Sequence, residues 1–423
     1  MPGQHKSGRQ QNELAPRQVR PMRNPDVSFS ADVAVVGGGP AGLVSAIALA
    51  AAGVDTLLIA PPAKPDHRTT ALLSSSITAL ATLGVWPACL PDAAPLKRLR
   101  IVDDTRRLFR APEISFDAAE IGLEAFGHNI ENRHLLAALE ARATALRLPR
   151  IASPALAIAP DAAGVTIDHA GGSIRVALVV GADGARSLAR SAAGIATQRR
   201  LYPQTALTLN LAHARPHDDT STEFHTESGP FTLVPLPGRR SSLVCVLDES
   251  NARTLSAKSD DALAADIERR AHSLLGTMRV EPGRGVFPLA IETAEVCARS
   301  RIALVGEAAH VVPPIGAQGL NLGLRDGATI AEIVADARRQ NLDPGAPDVL
   351  AGYDALRRAD VLSRTVAVDL LNRNLLTDFI PAHGARGLSL YLVDRIGPLR
   401  RALMREGVAP AASQPRLMRG EMV

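Results

Sequence analysis

The stretch Asp32-Val33-Ala34-Val35-Val36-Gly37-Gly38-Gly39-Pro40-Ala41-Gly42 decides the fold. Its first half is a continuous run of small and branched apolar residues. Such a run is buried on both faces, as in a parallel strand covered by helices. The run stops at Gly37, and the glycines at 37, 39 and 42 satisfy the spacing GxGxxG. In that spacing Gly37 makes a tight turn, Gly39 lets the backbone approach a pyrophosphate, and Gly42 lets the next helix pack closely on the strand. Ala41 falls in the first turn of that helix, whose free N–H groups and positive dipole end face the phosphates. The helix is expected over 40–52, closed by Gly53, and a second strand over 56–60, stopped by Pro61-Pro62. Together they form a βαβ unit of ordinary size.

Two more strands share this design. The run 176–180 ends at Gly181, and the run 302–305 ends at Gly306. Ligands of open α/β sheets bind at such carboxyl ends. The first is followed by Gly181-Ala182-Asp183-Gly184-Ala185-Arg186-Ser187, with Arg190 beyond. The second is followed by Gly306-Glu307-Ala308-Ala309-His310. It runs on through Pro313-Pro314-Ile315-Gly316-Ala317-Gln318-Gly319-Leu320-Asn321-Leu322-Gly323-Leu324-Arg325-Asp326. An acid just after a strand can bind the hydroxyls of a ribityl chain. A glycine-rich loop opening a helix over 320–339 can turn its first amides towards a flavin pyrimidine, where negative charge develops on reduction.

Residues 201–249 read differently, with partly alternating runs at 207–211, 231–236 and 242–247 separated by Gly-Pro and Pro-Gly turns. They predict a second sheet in an inserted domain. The fold class is therefore α/β: a Rossmann-like domain with a parallel sheet, an inserted mixed-sheet domain and a C-terminal helical segment. The first domain is expected over 31–105, 135–195 and 285–345, the inserted one over 106–134 and 196–284, and the helical region over 346–423. Residues 1–30 are polar, rich in Gln, Pro and Arg, and read as a disordered tail, with Met22 a second candidate start.

Composition narrows the function. The chain of 423 residues is 46% hydrophobic and only 3% aromatic, with a net charge of +4. The basic excess is spread out and lacks interleaved aromatics, which argues against nucleic-acid binding. Cys89, Cys245 and Cys297 form no CxxC pair, which argues against a disulfide framework, a metal site or an iron–sulfur cluster and favours a reducing, cytoplasmic setting. No apolar run reaches the roughly 18–20 residues of a membrane span, and no signal core precedes the first strand.

GxGxxG, then a DG motif, then a GD-like motif, in that order, resembles the class A flavoprotein monooxygenases that hydroxylate aromatic rings. More narrowly, the run from Pro313 to Asp326 resembles the ubiquinone-biosynthesis hydroxylases. Arg68-Thr69-Thr70-Ala71-Leu72, Leu83-Gly84-Val85-Trp86, Asn132 before Leu135, Tyr202-Gln204-Ala206 and Gly229-Pro230 before Leu233-Val234-Pro235-Leu236 add to the match, which spans about 32–407. The resemblance implies FAD as cofactor, NAD(P)H as electron donor and O2 as co-substrate. The expected reaction transfers oxygen from a flavin C4a-hydroperoxide to an electron-rich ring, most readily a polyprenylated phenol precursor of ubiquinone.

The cofactor-binding set it implies is Gly37, Gly39, Ala41, Gly42, Arg68, Asp183, Gly184, Gly306, Glu307, Gly316, Gln318, Gly319, Leu320 and Asn321. Asp183 is also a candidate for NAD(P)H binding. Pro313 and residues 316–321 would line the flavin ring. His310, Pro313 and Tyr202 are the candidates for catalysis, against ordinary roles as a backbone-bonded histidine and a core tyrosine. The sequence departs from the family pattern twice. Glu307 stands for the usual Asp, and Ala60 stands where an acid usually receives the adenosine ribose. A basic, Leu-rich C-terminal stretch around 386–405 reads either as a helix on the FAD domain or as a peripheral contact at the inner face of a membrane. Two other functions remain open: hydroxylation of a small soluble phenol, and a non-catalytic assembly protein that keeps the fold. Halogenation is disfavoured because Trp86 is the only tryptophan.

Overall fold

A computed structural model describes residues 30–62, 66–105, 112–314, 316–376, 396–408 and 414–423. The expected tail lies outside the described residues, apart from Ser30.

The strand Ala31–Val36 is buried along its whole length and pairs in parallel with Thr56–Ile59 on one side and Gly172–Gly181 on the other. Ile302–Leu304 joins the far edge of Gly172–Gly181, also in parallel, and Arg150–Ile151 continues the sheet beyond Thr56–Ile59. Three carboxyl ends thus stand side by side. The backbone stitches them together: Ala182 N–H donates to Val36 O at 2.7 Å, Gly37 N–H to Ile59 O at 3.0 Å, and Val305 N–H to Gly181 O at 2.9 Å.

Both faces of this sheet are covered, which is why its strands read as unbroken apolar runs. On one face pack the helices Pro40–Ala51, Asn132–Ala145 and Gln318–Arg339, through Leu43, Ile47, Leu139 and Leu324. On the other lie the antiparallel strands Ala155–Pro160 and Val165–His169 and the helix Leu188–Ala192.

Among the described residues a second sheet of nine strands is built around the long strand Thr197–His213, flanked by Arg240–Asp248 and Gly285–Ala294. The helices Glu249–Ser256 and Asp260–Arg270 close one face of it. Strand pairing runs across the expected domain ranges. Arg98–Asp103 pairs with Thr220–Thr226 and so belongs to the second sheet, as does Gly285–Ala294. Gly127–Glu131 pairs with Thr69–Leu73 and Ala93–Pro95 in a small third sheet instead.

Two further helices follow, Pro347–Leu376 and Gly397–Val408. The second docks on the edge of the second sheet, not on the parallel-sheet domain. Arg400 donates to Glu120 at 2.6 and 2.8 Å and lies 4.5 Å from the Phe116 ring, and Met404 packs with Phe126 and Ala118. Leu388, Leu390, Leu392 and Val393 of the expected amphipathic stretch lie outside the described residues. Among the described residues, no helix is long and apolar enough to cross a membrane.

Candidate functional site

The three motifs meet at one place. A Cβ built on Gly37 would stand 2.2 Å from the Ala182 carbonyl oxygen, and one on Gly42 would stand 2.1 Å from the Gly37 oxygen. The first loop is therefore locked against the second motif. A Cβ on Gly323 would come within 3.1 Å of Gly306 Cα and 3.2 Å of Ala41 Cβ, so the third motif and its long helix press on the start of the first helix. Gly39 is the opposite case, with nothing within 4 Å of such a Cβ. The loop is crowded towards the protein and open on its outer side, where a phosphate needs to reach the backbone. That shape fits the diphosphate of a dinucleotide.

Asp183 turns back on its own loop. Ser187 Oγ donates to its Oδ1 at 2.5 Å and Ala189 N–H to its Oδ2 at 3.1 Å, while Gly184 takes φ +81° to close the turn. Arg190 then ties this loop to the third motif, donating to the Ala308 carbonyl at 2.9 Å. Glu307 is exposed at the start of the third loop. Arg68 answers it from the small sheet: its guanidinium donates to Asp66, lies 5.8 Å from the Phe287 ring, and feels the Glu307 charge. The Asp66 carboxylate first, and Glu307 more weakly, hold Arg68 above its usual value.

His310 is only 2% exposed. Its Nε2 lies 2.6 Å from Asp326 Oδ2, the same oxygen that accepts from Gly306 N–H at 2.9 Å. Arg357 Nε donates to the other oxygen at 2.6 Å, and Arg357 also bonds Asp360. Desolvation would raise the Asp326 carboxyl, but the His310 and Arg357 charges outweigh it and hold the group at about 2. This buried group fixes the turn at Gly306, which needs φ +60°.

The loop before the long helix carries its own strain. Ala317 is left-handed at φ +56°, a conformation that costs a non-glycine residue about 1–2 kcal/mol. Gly316 beside it takes φ +66°, Gln318 Nε2 donates to the Gly316 oxygen at 3.0 Å, and Pro313 is buried. Gly319 and Leu320 are half-buried in the first helical turn. The Asn321 side chain is fully occupied within the protein. It accepts from Leu73 N–H and Ser76 Oγ and donates to the Ala71 and Ala317 carbonyls at 2.6–2.9 Å, so it clamps this loop to the small sheet. Tyr202 packs against Ala206, Val246 and Leu289 in the second sheet, with the Arg200 guanidinium 5.7 Å from its ring.

A family model described as a FAD binding domain matches residues 30–366. The chain belongs to the FAD-binding monooxygenase family. The flavoprotein is 37% identical to the ubiquinone hydroxylase UbiL of Rhodospirillum rubrum, over 92% of this chain and 93% of that one. It is 31% identical to the 3-demethoxyubiquinol 3-hydroxylase of Escherichia coli, over 88% and 97%. Among solved structures, p-nitrophenol 4-monooxygenase PnpA of Pseudomonas putida superposes with a TM-score of 0.73 at 21% identity, over 90% and 99% of the two chains. That likeness shows the shared fold.

The flavoprotein uses FAD with NAD(P)H and O2, the reactants of its class. Among its described residues no cluster of His, Cys, Asp or Glu could hold a metal ion. Burial pushes all three thiols up, to about 11 for Cys89 and Cys245 and about 12 for Cys297, which removes them as nucleophiles at neutral pH. Sequence reading gave no role to Asp66, Asp326, Arg357 or Arg150. Each has at least one partner from a distant segment, Asn132 for Asp66, Gly306 for Asp326, Asp326 for Arg357 and Ala60 for Arg150, and local spacing carries no sign of those contacts.

Proposed function

We propose that this flavoprotein hydroxylates the aromatic ring of a polyprenylated phenol on the route to ubiquinone. The observation that carries the reading is the 37% identity to a ubiquinone hydroxylase along nearly the whole of both chains. An exposed aromatic ring beside the motif loops supports it: Phe287 is 39% exposed where it lies against Arg68. A long hydrocarbon tail gains about 0.8 kcal/mol per buried CH2 from such a surface.

In this reading Gly37, Gly39, Ala41 and Gly42 receive the diphosphate, and Glu307 with Gly306 receives the ribityl chain. Gly184 and Asp183 close the second loop beside it. Pro313 and the turn from Gly316 through Gln318, Gly319 and Leu320 border the ring. Bound FAD supplies hydride acceptance from NAD(P)H and activation of O2. The chain's residues orient the ring, exclude water and place the positive end of helix Gln318–Arg339 where charge develops. His310 holds the Gly306 turn and does not exchange protons with substrate. Peripheral attachment to a membrane belongs to the same proposal: Arg400 and Met404 face inward, leaving Ile396 and Leu403 outward at 44% and 50% exposure beside Arg401 and Arg405.

The deciding experiment is deletion of the gene with identification of the quinone precursor that accumulates. A precursor lacking one ring hydroxyl supports the assignment, and an unchanged quinone pool removes it.

A further inference from the structure

Ala60 ends the second strand where an acid would accept from the adenosine ribose, and it is fully buried. The neighbouring strand supplies a different group. Arg150 pairs with Leu58 across the sheet edge, and its side chain crosses over the end of Thr56–Ile59. Its Nε donates to the Ala60 carbonyl at 3.1 Å, Nη2 to the Pro61 carbonyl at 2.9 Å and Nη1 to Glu140 at 2.7 Å. The guanidinium also borders the glycine loop: a Cβ on Gly38 would lie 2.9 Å from Ala60 Cβ and 3.6 Å from Arg150 Nη2. A guanidinium carries five N–H donors, so three bonds leave two, and the side chain is 25% exposed.

We propose that Arg150 takes over recognition of the adenosine ribose of FAD, donating to its hydroxyl oxygens where an acid would accept from them. The inference rests on the seating of FAD proposed above. It reverses the polarity of the contact: the ribose becomes acceptor, and the partner is positive. Ala60 is part of the arrangement, because a carboxylate there would pair with Arg150 and occupy the free donors. Arg150 is held in place by Glu140 and two carbonyls, so its fork meets the ligand already oriented.

The test is titration of apoprotein with FAD and, separately, with FMN, which shares the ring, the ribityl chain and one phosphate but lacks adenosine. Flavin fluorescence gives both affinities. Arg150→Ala should weaken FAD by about 10-fold or more while leaving FMN unchanged. Arg150→Lys should weaken FAD nearly as much, because the fork is lost. Adding Ala60→Glu to Arg150→Ala should recover most of the FAD affinity by restoring an acceptor. Unchanged FAD affinity in Arg150→Ala, or equal weakening of FAD and FMN, overturns the proposal. Full affinity in Arg150→Lys assigns the charge to the diphosphate instead and overturns the ribose assignment, as does failure of the rescue. Wild-type apoprotein that binds neither flavin removes the seating itself, an outcome distinct from all of these.

Discussion

Gly39 and Gly42 stand three residues apart and have opposite tolerance for a methyl group. Gly39 is in extended geometry at φ −73° with open space where a Cβ would point, so Gly39→Ala should leave apoprotein stability unchanged. It should nonetheless weaken FAD binding, because the methyl occupies the side the phosphates approach. Gly42→Ala drives a Cβ against a backbone oxygen and should cost more than about 3 kcal/mol by denaturant titration. Equal effects of the two changes would contradict the assigned geometry.

Asp326 yields a pH prediction. Its carboxyl drops from an ordinary 3.8 to about 2 in the fold. A group depressed in this way stabilises the folded state above its unfolded value and loses that contribution as pH falls towards its folded one. Asp326→Asn should destabilise by about 3–5 kcal/mol at neutral pH, since it strands His310 and Arg357. The gap between wild type and variant should then narrow by about 2 kcal/mol between pH 4 and pH 2, measured by denaturation at each pH. The glycines were readable because a motif states their spacing. Asp326 was on view in the same motif, yet its role depends on residues 306, 310 and 357, which only folding brings together.

Helix Gln318–Arg339 lies on helix Pro40–Ala51 through a glycine contact. A Cβ on Gly327 would stand 2.7 Å from Ser45 Oγ, which itself donates to the Ala41 carbonyl. Gly327→Ala should cost about 1–3 kcal/mol, and Ser45→Ala in the same background should return part of it, a non-additivity that a double-mutant cycle reads directly. These helices and the buried strands were legible because each carries its period or its unbroken apolar run within a dozen residues. The sheet neighbours of Arg98–Asp103 and Gly285–Ala294 were not legible, because a strand's sequence records its faces but not its partner. Arg98–Asp103 finds its partner at Thr220–Thr226, far along the chain.

At the scale of the molecule, the C-terminal helix Gly397–Val408 bears on the second sheet through Arg400, Glu120 and Phe116. Arg400→Ala should expose the Phe126–Met404 cluster and accelerate proteolysis near residue 397, with a loss of about 1–3 kcal/mol. Retention of wild-type protease resistance would count against this anchoring. If the outward face of that helix meets a membrane, protein mixed with anionic liposomes should float with them, and Leu403→Asp should reduce the floating fraction.

The short strand His310–Val311 pairs with Glu292 and Thr293 of the second sheet, only a few residues after the turn that carries Glu307. The third motif is therefore joined by backbone hydrogen bonds directly to the second sheet. A guest that pries the second sheet away at that point would drag the Glu307 turn with it, so the two must move as one body on this side of the third motif.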